Sequence, residues 1–164
     1  FDAACREFDI TPLFGIEAQG REECHILCLF AEPERALELG NELYDLMPPV
    51  MNVPGKMGDQ VYVDGNEDIA GEVDKYLITS AEIGMEDLSR RVLELGGLVM
   101  PDRSQYVNVL DTRNYPLITS SDAHFVEHIG RRAFDLDIGE EPLCRKDGRA
   151  DLNTIRAALL RRPR

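Results

Sequence analysis

Residues 11–30, "TPLFGIEAQGREECHILCLF", hold two apolar runs separated by a polar stretch. The first run ends in a carboxylate at Glu17, and the second begins just behind an imidazole at His25. Short apolar runs bounded by glycine and charged residues read as β-strands. A strand that is apolar throughout is buried on both faces, and such strands are typical of parallel sheets covered by helices.

Working outward, "FDAACREFDI" reads as the last turns of a helix, with Phe1, Ala4, Cys5 and Phe8 at helical spacing. "EPERALELGNELYDLM" is an amphipathic helix with Pro33 near its start and Pro48-Pro49 stopping it. "QVYVDGNEDIAGEV" predicts a hairpin turning at Asp64-Gly65-Asn66. "EDLSRRVLELGG" is a helix with Leu88, Val92 and Leu95 on one face, ended by Gly96-Gly97. "LVMP" follows as a short buried strand, and "FDLDIG" as another. "DLNTIRAALLRR" is a helix capped by Asp151, with arginines in its last turn. Strands alternating with helices predict an α/β fold with a largely parallel sheet. There is no internal repeat.

The chain has 164 residues, enough for one domain with a core. It is 43% hydrophobic and 30% charged, the balance of an ordinary globular protein. The sequence predicts neither a membrane span nor a signal peptide, and the expected compartment is the cytoplasm. A net charge of −13 repels phosphate backbones, so no long nucleic acid is expected as a partner. Bound divalent cations would reverse that locally for a small phosphorylated substrate. Cys5, Cys24, Cys28 and Cys144 include no CxxC pair and read as core thiols in a reducing compartment.

A second stretch, "PLITSSDAHFVEHIGRR" over residues 116–132, ends an apolar run with Asp122 and His124 two positions apart. On an extended chain those side chains point the same way, as two ligands of one metal ion must. In α/β folds reactive groups gather at the carboxyl ends of strands. Glu17, His25, Asp122 and His124 at one rim would form a mixed nitrogen and oxygen site suited to zinc, manganese or iron. Each has a plainer reading as well. Glu17 can be a surface carboxylate, His25 a hydrogen-bonded core histidine, and Asp122 the cap of a helix that carries His128 on its surface.

Together the two stretches resemble the polymerase and histidinol phosphatase (PHP) superfamily of metal-dependent phosphoesterases. In that family a "GIE" strand end supplies a metal-bridging glutamate, and the next strand supplies a histidine ligand. A late "SDAH" followed by "IGRR" supplies an aspartate and a histidine. The resemblance implies a distorted (β/α)7 TIM-like barrel of the PHP type, incomplete here, and a single domain over residues 1–164 with a β-hairpin insertion at about 58–73. It implies hydrolysis of phosphoesters at a divalent metal cluster of manganese, zinc or iron. Glu17, His25, Asp122 and His124 are the implied metal ligands, with Glu17, Asp122 and His124 at the catalytic centre. Arg103 is the implied phosphate-binding residue, with Arg131 and Arg132 as lesser candidates, since guanidinium grips phosphate with paired hydrogen bonds.

Three departures stand against that pattern. The family's opening His-x-His strand is absent, a metal-binding histidine expected after Pro101 is absent, and "VNVL" runs straight into "DTRNYPLITSSDAH". Segments lost from the sequence as written, at 101/102 and 110/111, would account for the second and third. The Cα separations at those junctions should then exceed the ~3.8 Å of a trans peptide. Four ligands are too few for a cluster, so the rest would belong to the absent segments. Two rivals follow: a non-catalytic PHP-like binding or assembly module with a degenerate site, and a metal hydrolase acting on amides.

Overall fold

The computed structural model describes residues 1–101 and 121–161. Helix α1 (Asp2–Glu7) leads into β1 (Phe14–Gln19), and β2 (His25–Phe30) follows directly. The strands pair antiparallel, from Phe14 opposite Phe30 to Gln19 opposite His25. Next come α2 (Pro33–Leu46), the single turn α3 (Pro54–Met57), the hairpin β3 (Val61–Val63) and β4 (Ile69–Glu72), α4 (Met85–Glu94) and β5 (Leu98–Pro101). A 3-10 turn at Val126–His128 and helix α5 (Leu152–Arg161) complete the described residues.

Among the described residues the expected barrel and its largely parallel sheet are not found. Strand β5 pairs antiparallel with β2, giving an open sheet of order β1-β2-β5, and β3-β4 form a separate two-stranded sheet. The reason lies in residues 20–24, which join β1 to β2. Parallel neighbours need a crossover of about a dozen residues or more, and so short a link can only make a hairpin. Burial on both faces, taken as a sign of parallel strands, has another origin here. Ile26, Cys28 and Phe30 face a core built from Leu39 and Leu43 of α2 and Leu88 and Val92 of α4. Leu98 and Met100 face the opposite way, onto Ile155 and Leu159 of α5. Helices on both sides of an antiparallel sheet bury it as fully as they would a parallel one.

Local signals explain the elements. Pro33 starts α2, and the chain leaves the helix at Met47, just before Pro48-Pro49. Helix α4 ends as Gly96 takes φ +78°, the left-handed conformation that glycine adopts at least cost. Gly97 follows because a Cβ there would stand 2.5 Å from the Phe30 ring. Gly40 is different: it sits inside α2, where glycine costs about 1 kcal/mol relative to alanine, yet a Cβ there would meet nothing within 4 Å. The β3-β4 hairpin forms in the stretch where the sequence predicts one. Asp64 Oδ1 closes its turn by accepting the backbone N–H groups of Asn66 (2.7 Å) and Asp68 (3.1 Å).

The expected strand over residues 134–139 is not formed. Asp137 Oδ1 instead accepts the Gly139 N–H at 2.9 Å, a local turn that competes with ladder pairing. The expected helix after Asp122 is reduced to the 3-10 turn, whose N-cap is Phe125, so Asp122 does not cap it. The junctions at 101/102 and 110/111 and the apolar run before Asp122 lie outside the described residues. Among the described residues no helix is long and apolar enough to cross a membrane.

Two stability predictions arise here. Asp151 caps α5, its Oδ1 accepting the N–H of Asn153 at 3.0 Å and of Thr154 at 3.2 Å. Asp151→Ala is therefore expected to cost about 0.5–2 kcal/mol in urea denaturation. The Cys28 thiol is fully buried, and that burial pushes its pKa from 9.0 up to about 12. The folded chain keeps a proton that the unfolded chain releases from about pH 9 upward. Cys28 therefore contributes stability below that pH and loses it progressively up to about pH 12, by at most about 1.4 kcal/mol per pH unit. Comparing the alkaline slope of unfolding free energy in wild type and Cys28→Ala isolates this effect, and equal slopes would contradict it.

Candidate metal centre

Glu17 pairs opposite Leu27 and His25 opposite Gln19, so the two residues are diagonal neighbours on one face of the β1-β2 ladder. That is the face α5 packs against further along. His25 Nδ1 lies 2.8 Å from Glu17 Oε1, with the side chains 44% and 55% exposed. With Nδ1 donating to the carboxylate, Nε2 is the ring nitrogen that would serve as a metal ligand, an acid–imidazole arrangement common behind metal ions. The hairpin thus brings these two sequence-predicted residues together. Cys28 on β2 and Cys24 just before it are buried in the core.

Asp122 and His124 form a second pair. His124 Nδ1 lies 3.0 Å from the Asp122 carbonyl oxygen and 3.8 Å from its Oδ1. Asp122 takes φ +44°, a left-handed conformation in which aspartate is enriched among non-glycine residues. Both side chains point to solvent, 80% and 73% exposed. The following basic step folds back on the same segment. The Arg132 N–H donates to Ser121 Oγ at 3.0 Å, and Arg131 Nη2 donates to the Ser121 carbonyl at 3.4 Å. Guanidinium charge therefore stands beside the acid–imidazole pair. His128 packs edge-on to Phe125, with ring centroids 5.2 Å apart. Arg103 lies outside the described residues.

Among the described residues, no three His, Cys, Asp or Glu side chains are close enough together to hold a metal ion. The four predicted ligands stand as two pairs rather than one cluster. Asp122 and His124 carry oxygen and nitrogen donors of the kind manganese, zinc or iron accept, whereas Glu17 stands behind His25 and leaves Nε2 as the donor of that pair.

A cavity of about 450 Å3 runs along β1, a feature no sequence pattern announces. Ile16, Glu17, Ala18 and Gln19 of β1, with His25, form one wall. Gly40, Leu43, Tyr44 and Met47 of α2 form another, and residues 77–81 close it. That last segment is pinned by the Ala81 N–H on the Gln19 carbonyl (2.9 Å) and the Glu82 N–H on the Leu46 carbonyl (2.9 Å). A glycine at position 40, inside an otherwise good helix, was the available clue.

No protein-family model, curated protein or solved structure matches the chain.

Proposed function

We propose that this chain belongs to a cytoplasmic, metal-dependent phosphoesterase with the site chemistry of the PHP superfamily. The observation that carries the reading is the Glu17–His25 pair, held at 2.8 Å across two adjacent strands. The Glu17 carboxylate orients the His25 ring so that Nε2 serves as the ligand atom, while Asp122 and His124 supply a carboxylate and an imidazole from the second pair. When bound, the divalent cation lowers the pKa of a water and neutralises charge developing on the phosphoryl oxygens. Arg131, whose guanidinium donates to the Ser121 carbonyl, is the candidate to bind a phosphate beside Asp122 and His124, with Arg132, tied to Ser121 through its backbone N–H, the lesser one. A net charge of −13 restricts the substrate to a small phosphorylated molecule: a nucleotide, a sugar phosphate or a short oligonucleotide end. The four free cysteines suit a reducing cytoplasm.

A chromogenic phosphate monoester, a diester and an amide, assayed with added manganese or zinc, test this reading. Metal-dependent release from an ester, with the amide untouched, is the expected result. Turnover of the amide alone would overturn it. The separation of the donors into two pairs favours one alternative, a non-catalytic module that binds metal or phosphate without turning it over. Metal binding without hydrolysis of any ester would select that alternative.

A further inference from the structure

The cavity along β1 takes the proposed function further, since Glu17 and His25 form part of its wall. Resting on that reading, we propose that the cavity seats a flat aromatic ring carried by the substrate, so that the substrate is a nucleoside phosphate rather than a sugar phosphate.

Three observations carry this. The first is size and lining. A volume of about 450 Å3 lies within the range of small-molecule sites. Leu43, Met47, Leu77 and Ile78 make its walls largely apolar. An aromatic ring gains from such walls, whereas a bare sugar would give up more hydration than their few polar groups return. Beside Glu17, His25 and Tyr44, the polar residues of the lining are Gln19 and Thr79, suited to the edge of a base. The Thr79 hydroxyl donates to the Tyr76 carbonyl at 2.8 Å, which orients its oxygen as an acceptor.

The second is that the cavity is held open by fixed groups. Tyr44 is anchored through its hydroxyl, which accepts the Lys75 N–H at 3.3 Å. Lys75 Nζ lies 4.7 Å from the Tyr44 ring and donates to the Tyr44 and Met47 carbonyls at the end of α2. A pre-formed aromatic wall avoids the ordering cost that a mobile side chain would impose on binding.

The third is Gly40. Its backbone is helical and does not require glycine, and no packed neighbour excludes a side chain. Glycine is nearly the poorest residue for a helix interior. What it provides at this point is open volume in the cavity wall.

The test compares adenosine 5′-monophosphate, ribose 5-phosphate and adenosine in calorimetric titrations with manganese present, using wild type and Gly40→Leu. Adenosine 5′-monophosphate is expected to bind at least tenfold more tightly than ribose 5-phosphate. Gly40→Leu, whose added side chain enters the cavity, should erase that preference and leave ribose 5-phosphate affinity unchanged. Ile78→Glu, at a position 67% exposed and so tolerant of charge, should weaken adenosine at least fivefold and serves as the second variant if Gly40→Leu unfolds. Equal affinities for the two phosphates, or a preference that survives both substitutions, would overturn the aromatic subsite while the phosphoesterase reading stands. Adenosine binding that is lost in both variants, with no manganese bound, would uphold the subsite and sink the phosphoesterase reading instead.

Discussion

Phe30→Ala is expected to lower the unfolding free energy by about 3–5 kcal/mol, the range for removing a large aromatic ring from a packed core. Phe30 is 1% exposed. It ends β2, so its ring lies where the sheet meets both α2 and α4. The chain has already given way to it: a Cβ at Gly97 would stand 2.5 Å from one ring carbon and 2.8 Å from Val92, so the backbone after α4 can pass only as glycine. With the ring gone, the hole is bounded by elements tied into the sheet and cannot close cheaply. Domains of this kind have about 5–15 kcal/mol in total, so the variant should be marginal at 37 °C. Urea denaturation gives the number directly, and a loss below about 1 kcal/mol would mean that this core is not packed as described.

The second large effect concerns function. His25→Ala should reduce metal-dependent ester hydrolysis by at least about 100-fold, because it removes a ligand together with the hydrogen bond that orients it. Glu17→Gln, which keeps the side chain's shape but loses its charge, should cost about 10–100-fold, as losses behind a ligating histidine typically do. Neither change should move stability by more than about 0.5 kcal/mol, since both side chains are about half exposed and a solvent-exposed polar contact of this kind is worth little. That contrast separates a chemical role from a structural one. Wild-type values of kcat/KM in both variants would remove the Glu17–His25 pair from the site.

How much of this was legible in the sequence depends on the distance over which each signal acts. Local signals were read well. Pro33 and Pro48-Pro49 bracket α2, Gly96 ends α4, Asp64 turns the hairpin, and Asp151 caps α5. Strand direction was misread, because burial on both faces of β2 and β5 follows from helices on either side and not from how the strands run. The shortness of the 20–24 link was the better evidence for a hairpin. Residues 134–139 alternate like a strand, but a period of two cannot register that Asp137 binds the Gly139 N–H instead. At the site, the two-residue spacing predicts Asp122 and His124 side by side on an extended strand; they are neighbours for another reason, a left-handed Asp122 whose carbonyl oxygen meets His124 Nδ1. The contact between Glu17 and His25 depended on which register the hairpin took. Separation along the chain says nothing of whether two such pairs meet in space. The cavity was the least legible feature, since its walls come from three segments that only the fold brings together.

Calorimetric titration of manganese into wild type, His25→Ala and Asp122→Ala tests the central claim most directly. The account predicts at least one manganese bound per wild-type chain, with affinity weakened at least tenfold by either substitution while the unfolding transition stays in place. No manganese bound to wild type, or binding that both substitutions leave unchanged, would contradict it.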